Sequence, residues 1–366
     1  MSIPERLGSL HGDCTPLAIT SHLIRCTWQC NFHISAVSSA NYLAQVLVMD
    51  FSLLPEEVLV NVLKMSSPTT VVVAKRLNKK LNRIVERNHL GKPRVDDFSV
   101  EMRTFLGRTR PIGKLQLKNT GKMHRRVVVT MKRKQKSRQI VEEGLEGPSC
   151  SNGTSLVMEE MKKVQLYERL SFDGVTADSE FFNMLTAKWN DLSAVQSLSF
   201  TLCHLKFSKE QMLSLLTRTA CRSLTLDFCH FEQDIISDKV INSLPCMKCL
   251  RIQPRSTVYL HQLTDATLRR WSASPPTTIA LYNCASNFTL QGIVEIIKSL
   301  AEDTFVDWDF GRILPRDGAD GHLLSMMSIS GMTIFVSDDF GSRRVQIARG
   351  PSRIAFNLIK EEAFTS

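Results

Sequence analysis

The second half of the chain carries a short alternation of apolar and polar positions that keeps returning: RLSF, SLSF, SLTL, CLRI, TIAL and DWDF, with apolar pairs that begin at Leu170, Leu198, Leu224, Leu250, Ile279 and Trp308. A period of two places the paired side chains on one face of a strand. The spacings between successive motifs are 28, 26, 26, 29 and 29 residues. Between them lie helical patterns. The clearest is Ser208-Lys209-Glu210-Gln211, a capping box ahead of Met212, Leu215 and Leu216. Others run over 181–189, 235–244 and 290–300. Each unit therefore predicts strand, turn and helix. Such a unit cannot cover its own apolar face, so neighbours must stack, which predicts a curved solenoid over 158–310 with parallel strands on its concave side.

Upstream the period changes to that of a helix. Pro55 suits a first helical position, and Glu56 and Glu57 then face the positive end of the helix dipole. Val58, Leu59, Val62 and Leu63 fall on one stripe. Ser67-Pro68 repeats the start signal, and Val73, Leu77, Leu81 and Ile84 recur at helical spacing as a second face, opposite Lys75, Arg76, Lys79, Lys80 and Arg83. Gly91 and Pro93 supply a stop. Helices this short are marginal alone and must dock on something. Past the last strand motif, 331–359 alternates again around Asp338-Asp339 and Gly350-Pro351, as strands joined by turns would. Solenoids need an end unit to hide their last core layer, so 311–366 is expected to form a C-terminal β cap.

Charge changes the picture in the middle. Of a net charge of +10, the segment from Phe51 to Glu143 holds 22 Lys/Arg against 8 Asp/Glu, and the remainder is slightly acidic. Segment 93–157 reads as a basic connection followed by a flexible linker. Within it Lys122–Arg138 combines a possible strand with a dense positive run. Three roles suit that run: a solvated face, a nuclear-import signal centred on Lys132, Arg133, Lys134 and Lys136, or phosphate contacts to nucleic acid. The last is the weakest, because the run has no aromatic residue for base stacking. Residues 1–50 match no pattern beyond a tail or peripheral helix. The apolar stretch Ile34–Met49 is broken by polar residues and is shorter than the ~20 needed to span a bilayer, so no membrane span is expected.

Ten cysteines are too scattered for a disulfide framework, which points to a reduced, intracellular chain. Asn152-Gly153-Thr154 is then a sequon without consequence. Cys203, Cys229 and Cys284 each stand three places after the second apolar residue of a strand motif. Cys246-x-x-Cys249, and Cys26 and Cys30 with His33, lack the four ligands of a structural zinc site. No metal and no cofactor are expected. The motifs of a phosphate-binding loop, HExxH and G-x-S-x-G are absent, and a non-catalytic chain is expected.

The period and the cysteine phase resemble leucine-rich repeats. The order Leu54-Pro55-x-Glu57-Val58-Leu59, a Ser-Pro turn, and a helix containing Ala74-Lys75-Arg76-Leu77-Asn78 resembles the F-box motif. The expected class is thus α/β: a helical F-box over 51–92, then the repeat-like solenoid and its cap. The resemblance extends to F-box proteins with divergent repeat-like C-terminal halves, a group expanded in nematodes. It implies the substrate-recognition subunit of an SCF-type ubiquitin ligase, cytoplasmic or nuclear, with Leu54, Pro55, Val58, Leu59 and Val62 docking the Skp-type adaptor that links to the cullin. A protein substrate would then meet the outward positions of the strands: Asp173, Thr201, Asp227, Arg251, Gln253 and Tyr282, along with Ser171. A repeat scaffold outside any ligase and a basic nucleic-acid-associated protein are the rival readings.

Overall fold

The computed structural model describes residues 54–88, 90–108, 119–145, 154–244, 246–301, 303–313, 332–339 and 342–359. Residues 1–50 with Cys26, Cys30 and His33, the sequon asparagine, and residues 146–153 of the expected linker lie outside this set. The chain divides into two compact bodies, Met1–Asn88 and His89–Ser366.

In the first body helix α1 spans Glu56–Met65, with Pro55 at the N-cap and both glutamates in the first turn. Helix α2, Pro68–Leu77, starts on Ser67, whose hydroxyl accepts the Thr70 N–H at 3.1 Å. The expected second helix does not continue beyond it. Asn78 is extended (φ −149°, ψ 139°) and caps a separate helix α3, Lys79–Arg87, its side chain accepting the Lys80 N–H at 2.7 Å. That break resets the helical phase. Leu81, Ile84 and Val85 are buried together with Leu59, Leu63 and Val71, whereas Val73 and Leu77 are 56% and 55% exposed.

The second body is mixed α/β. Its first elements correct the linker reading of 93–157. Strands β1 (Arg94–Arg108), β2 (Asn119–Arg133) and β3 (Lys136–Leu145) form an antiparallel ladder, followed by helix α4 (Thr154–Lys163). Phe98 and Val100 give β1 a buried face, and Val127, Val128 and Val129 are buried in β2. The cations Lys132, Arg133, Lys134 and Lys136 surround the tip of the β2–β3 hairpin, where Lys134 has φ 52°.

Six strands then run parallel to one another: β4 (Gln165–Asp173), β6 (Ser197–Thr201), β8 (Ser223–Phe231), β9 (Cys249–Pro254), β11 (Thr278–Leu281) and β13 (Asp307–Ile313). The six residues that open the sequence motifs, Leu170, Leu198, Leu224, Leu250, Ile279 and Trp308, are Cα partners from strand to strand. All six are buried. Short strands β5 (Thr176–Ala177), β7 (His204–Leu205), β10 (Val258–Thr264) and β12 (Cys284–Asn287) follow four of the long ones.

Helices α5 (Ser179–Leu185), α6 (Lys209–Thr217), α7 (Asp238–Asn242), α8 (Asp265–Ala273) and α9 (Leu290–Ser299) return the chain between strands. Helix α6 has the expected capping box, with the Gln211 N–H donating to the Ser208 hydroxyl at 3.2 Å and the Ser208 N–H to Gln211 Oε1 at 2.9 Å. Successive helices are also stapled. Asp238, which opens α7, accepts the N–H of Thr264 at 2.9 Å and its hydroxyl at 2.6 Å. Asp265, which opens α8, takes the same pair of bonds from Thr289 at 2.8 and 2.6 Å. Thr264 and Thr289 are themselves the N-caps of α8 and α9.

Strands β14 (Thr333–Asp339), β15 (Ser342–Arg349) and β16 (Ser352–Ile359) close the chain as an antiparallel ladder, and β16 lies parallel to β13. The order across the sheet is β14-β15-β16-β13-β11-β9-β8-β6-β4-β1-β2-β3. The buried face of this sheet and the inward sides of the helices form one continuous apolar core. Among the described residues no helix is long and apolar enough to cross a membrane.

Candidate functional site

Alternation along a strand fixes what the other face of the sheet displays. Leu198 and Phe200 point inward, so Ser197, Ser199 and Thr201 point out, and each neighbouring strand repeats the arrangement. Asp173, Thr201, Asp227 and Gln253 are partners in one row across four strands. Ser171, Ser199, Thr225 and Arg251 form the next row. Tyr282 follows Leu281, which pairs with Ile252, and therefore stands beside Gln253.

These side chains are in contact. Arg251 Nε donates to Asp227 Oδ1 at 2.8 Å, and its guanidinium carbon lies 6.0 Å from the centre of the Tyr282 ring. Asp173 is held from β1 by Arg103 Nη2 at 2.7 Å. Towards the far end Arg344 of β15 donates to Asp309 at 3.0 Å. The face thus joins charge, hydroxyl and aromatic surface without a single prevailing sign, as a face complementary to a protein surface would.

The upper margin of the face is set by a turn that recurs unit after unit. Gly174, Leu202, Phe228, Asn283 and Gly311 all have φ between 51° and 68°. At both ends of the array only glycine fits, because a Cβ on Gly174 would lie 2.2 Å from the Met102 carbonyl oxygen, and one on Gly311 2.2 Å from that of Leu281. The interior positions hold leucine, phenylalanine and asparagine instead, and for Leu202 and Phe228 the conformational cost is roughly 1–2 kcal/mol each. Their side chains are 36% and 44% exposed, so both still present apolar surface to solvent. With Tyr282, 41% exposed, they give the mixed face an apolar rim.

Directly after the turn come Cys203, Cys229 and Cys284. Their thiols donate to the carbonyls of Phe172 (3.4 Å), Phe200 (3.3 Å) and Ile252 (3.8 Å), each in the strand before. Burial pushes the Cys284 thiol up to about 12. Contact with the Cys203 thiol, then burial, raises that of Cys229. Behind this ladder His204 and His230 meet edge to face at 4.7 Å. Desolvation, then the neighbouring His230, Lys206 and Arg255, lower the pKa of His204.

All six residues expected to meet a substrate lie on this one face or at its rim. Leu202, Phe228 and Arg103 were not anticipated. The sequence carried no local signal for the first two, since an apolar residue does not announce a left-handed turn. Arg103 had none, since it arrives from a strand whose pairing with β4 is long-range. Cys246 is exposed and Cys249 half-buried at the start of β9. Among the described residues no group of three or more His, Cys, Asp or Glu is placed to hold a metal ion.

In the first body, Leu54 and Pro55 are exposed, Val58 and Val62 are half-buried, and Leu59 is only 1% exposed. Leu59 is therefore a core residue of the three helices and not a surface contact, which corrects its expected role. The apolar side chains that α1 and α2 do expose are Met65, Val72, Val73 and Leu77. Set against family models, curated proteins and solved structures, the chain matches none.

Proposed function

We propose that this chain is a substrate receptor of an SCF-type ubiquitin ligase. Its F-box-like helices dock the Skp-type adaptor, and its leucine-rich-repeat-like solenoid captures a protein target on the open face. The observation that carries the reading is the contact of Asp227, Arg251 and Tyr282, drawn from three neighbouring strands onto one face. Exposed Leu54, Val73 and Leu77 on the N-terminal helices supply the apolar adaptor surface. In this reading ubiquitin transfer belongs to the partners, in cytoplasm or nucleus.

Affinity purification of the tagged full chain from cells tests both halves. Wild type is expected to bring down adaptor and cullin in stoichiometric amounts together with its target. Val73→Asp with Leu77→Asp should release adaptor and cullin, because a carboxylate in an apolar interface lacks a partner. Asp227, Arg251 and Tyr282 replaced together by alanine should keep adaptor and cullin while the target is lost. Adaptor binding absent from the wild type would leave the scaffold reading in its place.

A further inference from the structure

Where the chain enters β4, β6, β8 and β9, at the opposite end of the open face from the apolar rim, a cleft of about 470 Å³ is lined by five cations and three carboxylates. Its floor is polar and small: Ser197 and Ser223 are partners in one row, next to Arg169. One wall is the tip of the β2–β3 hairpin, with Lys132 and Lys134. The other cations are Arg222 and Lys248, the residues just before β8 and β9. Their backbones are fixed, since the Arg222 N–H donates to the Gln196 carbonyl at 2.7 Å and the Lys248 N–H to the Arg222 carbonyl at 2.7 Å. Two adjacent units therefore present a cation at the same place, where the unit before them has Gln196.

The acids offset them only in part. Asp97 is taken by Lys132 at 3.5 Å, and Asp96 accepts the backbone N–H of Lys134 at 2.7 Å. Glu168 also lines the cleft. Among the described residues, Lys134, Arg169, Arg222 and Lys248 have no carboxylate within ion-pair distance. Arg169 on β4 and Lys248 before β9 are three strand spacings apart, about 14 Å, which is wider than one phosphate group. Guanidinium and ammonium groups over a hydroxyl floor offer donors to phosphate oxygens, and the five cations outnumber the three carboxylates of the lining. The lining has no aromatic side chain, so nothing in it would stack on a base.

We propose that this cleft binds a small molecule carrying two or more phosphate groups. The site is separate from the Asp227–Arg251–Tyr282 cluster and stands whether or not the receptor reading holds.

Isothermal titration of the full chain with inorganic tripolyphosphate at low salt tests it. Binding is expected, with orthophosphate much weaker. Arg222→Gln and Lys248→Gln should each weaken binding about tenfold, and the double variant should abolish it, without change in the unliganded melting temperature. Lys298→Gln, an exposed cation on α9, should bind as wild type does. Sedimentation with vesicles containing phosphatidylinositol bisphosphate separates the sources. Cosedimentation lost in the double variant assigns the site to a lipid headgroup; its absence, with tripolyphosphate still bound, assigns it to a soluble ligand. No binding of tripolyphosphate, or binding undiminished in the double variant, overturns the proposal. So does a single-stranded RNA that binds more tightly than tripolyphosphate.

Discussion

Cys203, Cys229 and Cys284 do for this chain what a hydrogen-bonding side chain must do wherever a strand turns sharply out of its sheet. They are small enough to be buried and polar enough to satisfy a carbonyl in the strand before. Contact with Cys203 and burial at Cys229, and burial at Cys284, raise the pKa and favour the protonated thiol that donates. Cys229→Ala removes a sulfur from the core and a donor from the Phe200 carbonyl. It should lower stability by about 1–2 kcal/mol in urea unfolding, with no change on adding a chelator. A chelator-dependent shift would mean that the thiol holds a metal. The cysteine phase was legible in the sequence because three residues of one type share one position in a repeat. Gly174, Asn283 and Gly311 at the left-handed turn tolerate positive φ, but no single residue type marks that position along the array. Leu202 and Phe228 were not legible, because an apolar residue carries no local signal for that conformation.

At the scale of elements, strand register was the most readable property. The apolar alternation must face the core in every unit, and a slip by one residue would expose it. Helix α8 was missed because Leu268 and Trp271 are a thin stripe, and Asp265 and Thr264, which anchor it, act through neighbouring helices. Of the β1–β3 ladder only a possible strand over Lys122–Arg138 was read within a basic connection, because its cations resemble solvated chain and its partner β4 is distant in sequence. In the first body the helix break at Asn78 was hidden by the accident that Val73, Leu77, Leu81 and Ile84 keep helical spacing across it. The stapled helices lead to a further expectation. A Cβ on Gly292 would lie 2.6 Å from the carboxylate carbon of Asp265, in the group that holds Thr289. Gly292→Ala should therefore destabilise the chain by about 1–3 kcal/mol in denaturant unfolding. In an Asp265→Ala background the penalty should shrink, because the two sites share one contact; equal penalties in both backgrounds would place the strain elsewhere.

Across the whole second body, parallel strands fill the middle of the sheet and a three-stranded antiparallel ladder stands at each end. Each ladder meets the array through one parallel junction, β1 with β4 and β16 with β13. Removing residues 332 onward would leave β13 as a bare edge beside Trp308 and Phe310, both fully buried in the intact chain. The truncated chain is expected to elute as aggregate on size exclusion, while the full chain does not; a monomeric truncated form would show that the last ladder is dispensable.

The two end junctions have another consequence. The β4–β6 and β6–β8 boundaries repeat one backbone register, and the glycines that fit only at the ends stay at the ends. A gene duplication or loss of one whole unit would thus be invisible to either terminus. The length of the open surface could thus change by whole units while the ladders that seal it stay as they are, and such a chain could widen its reach without any new solution to folding.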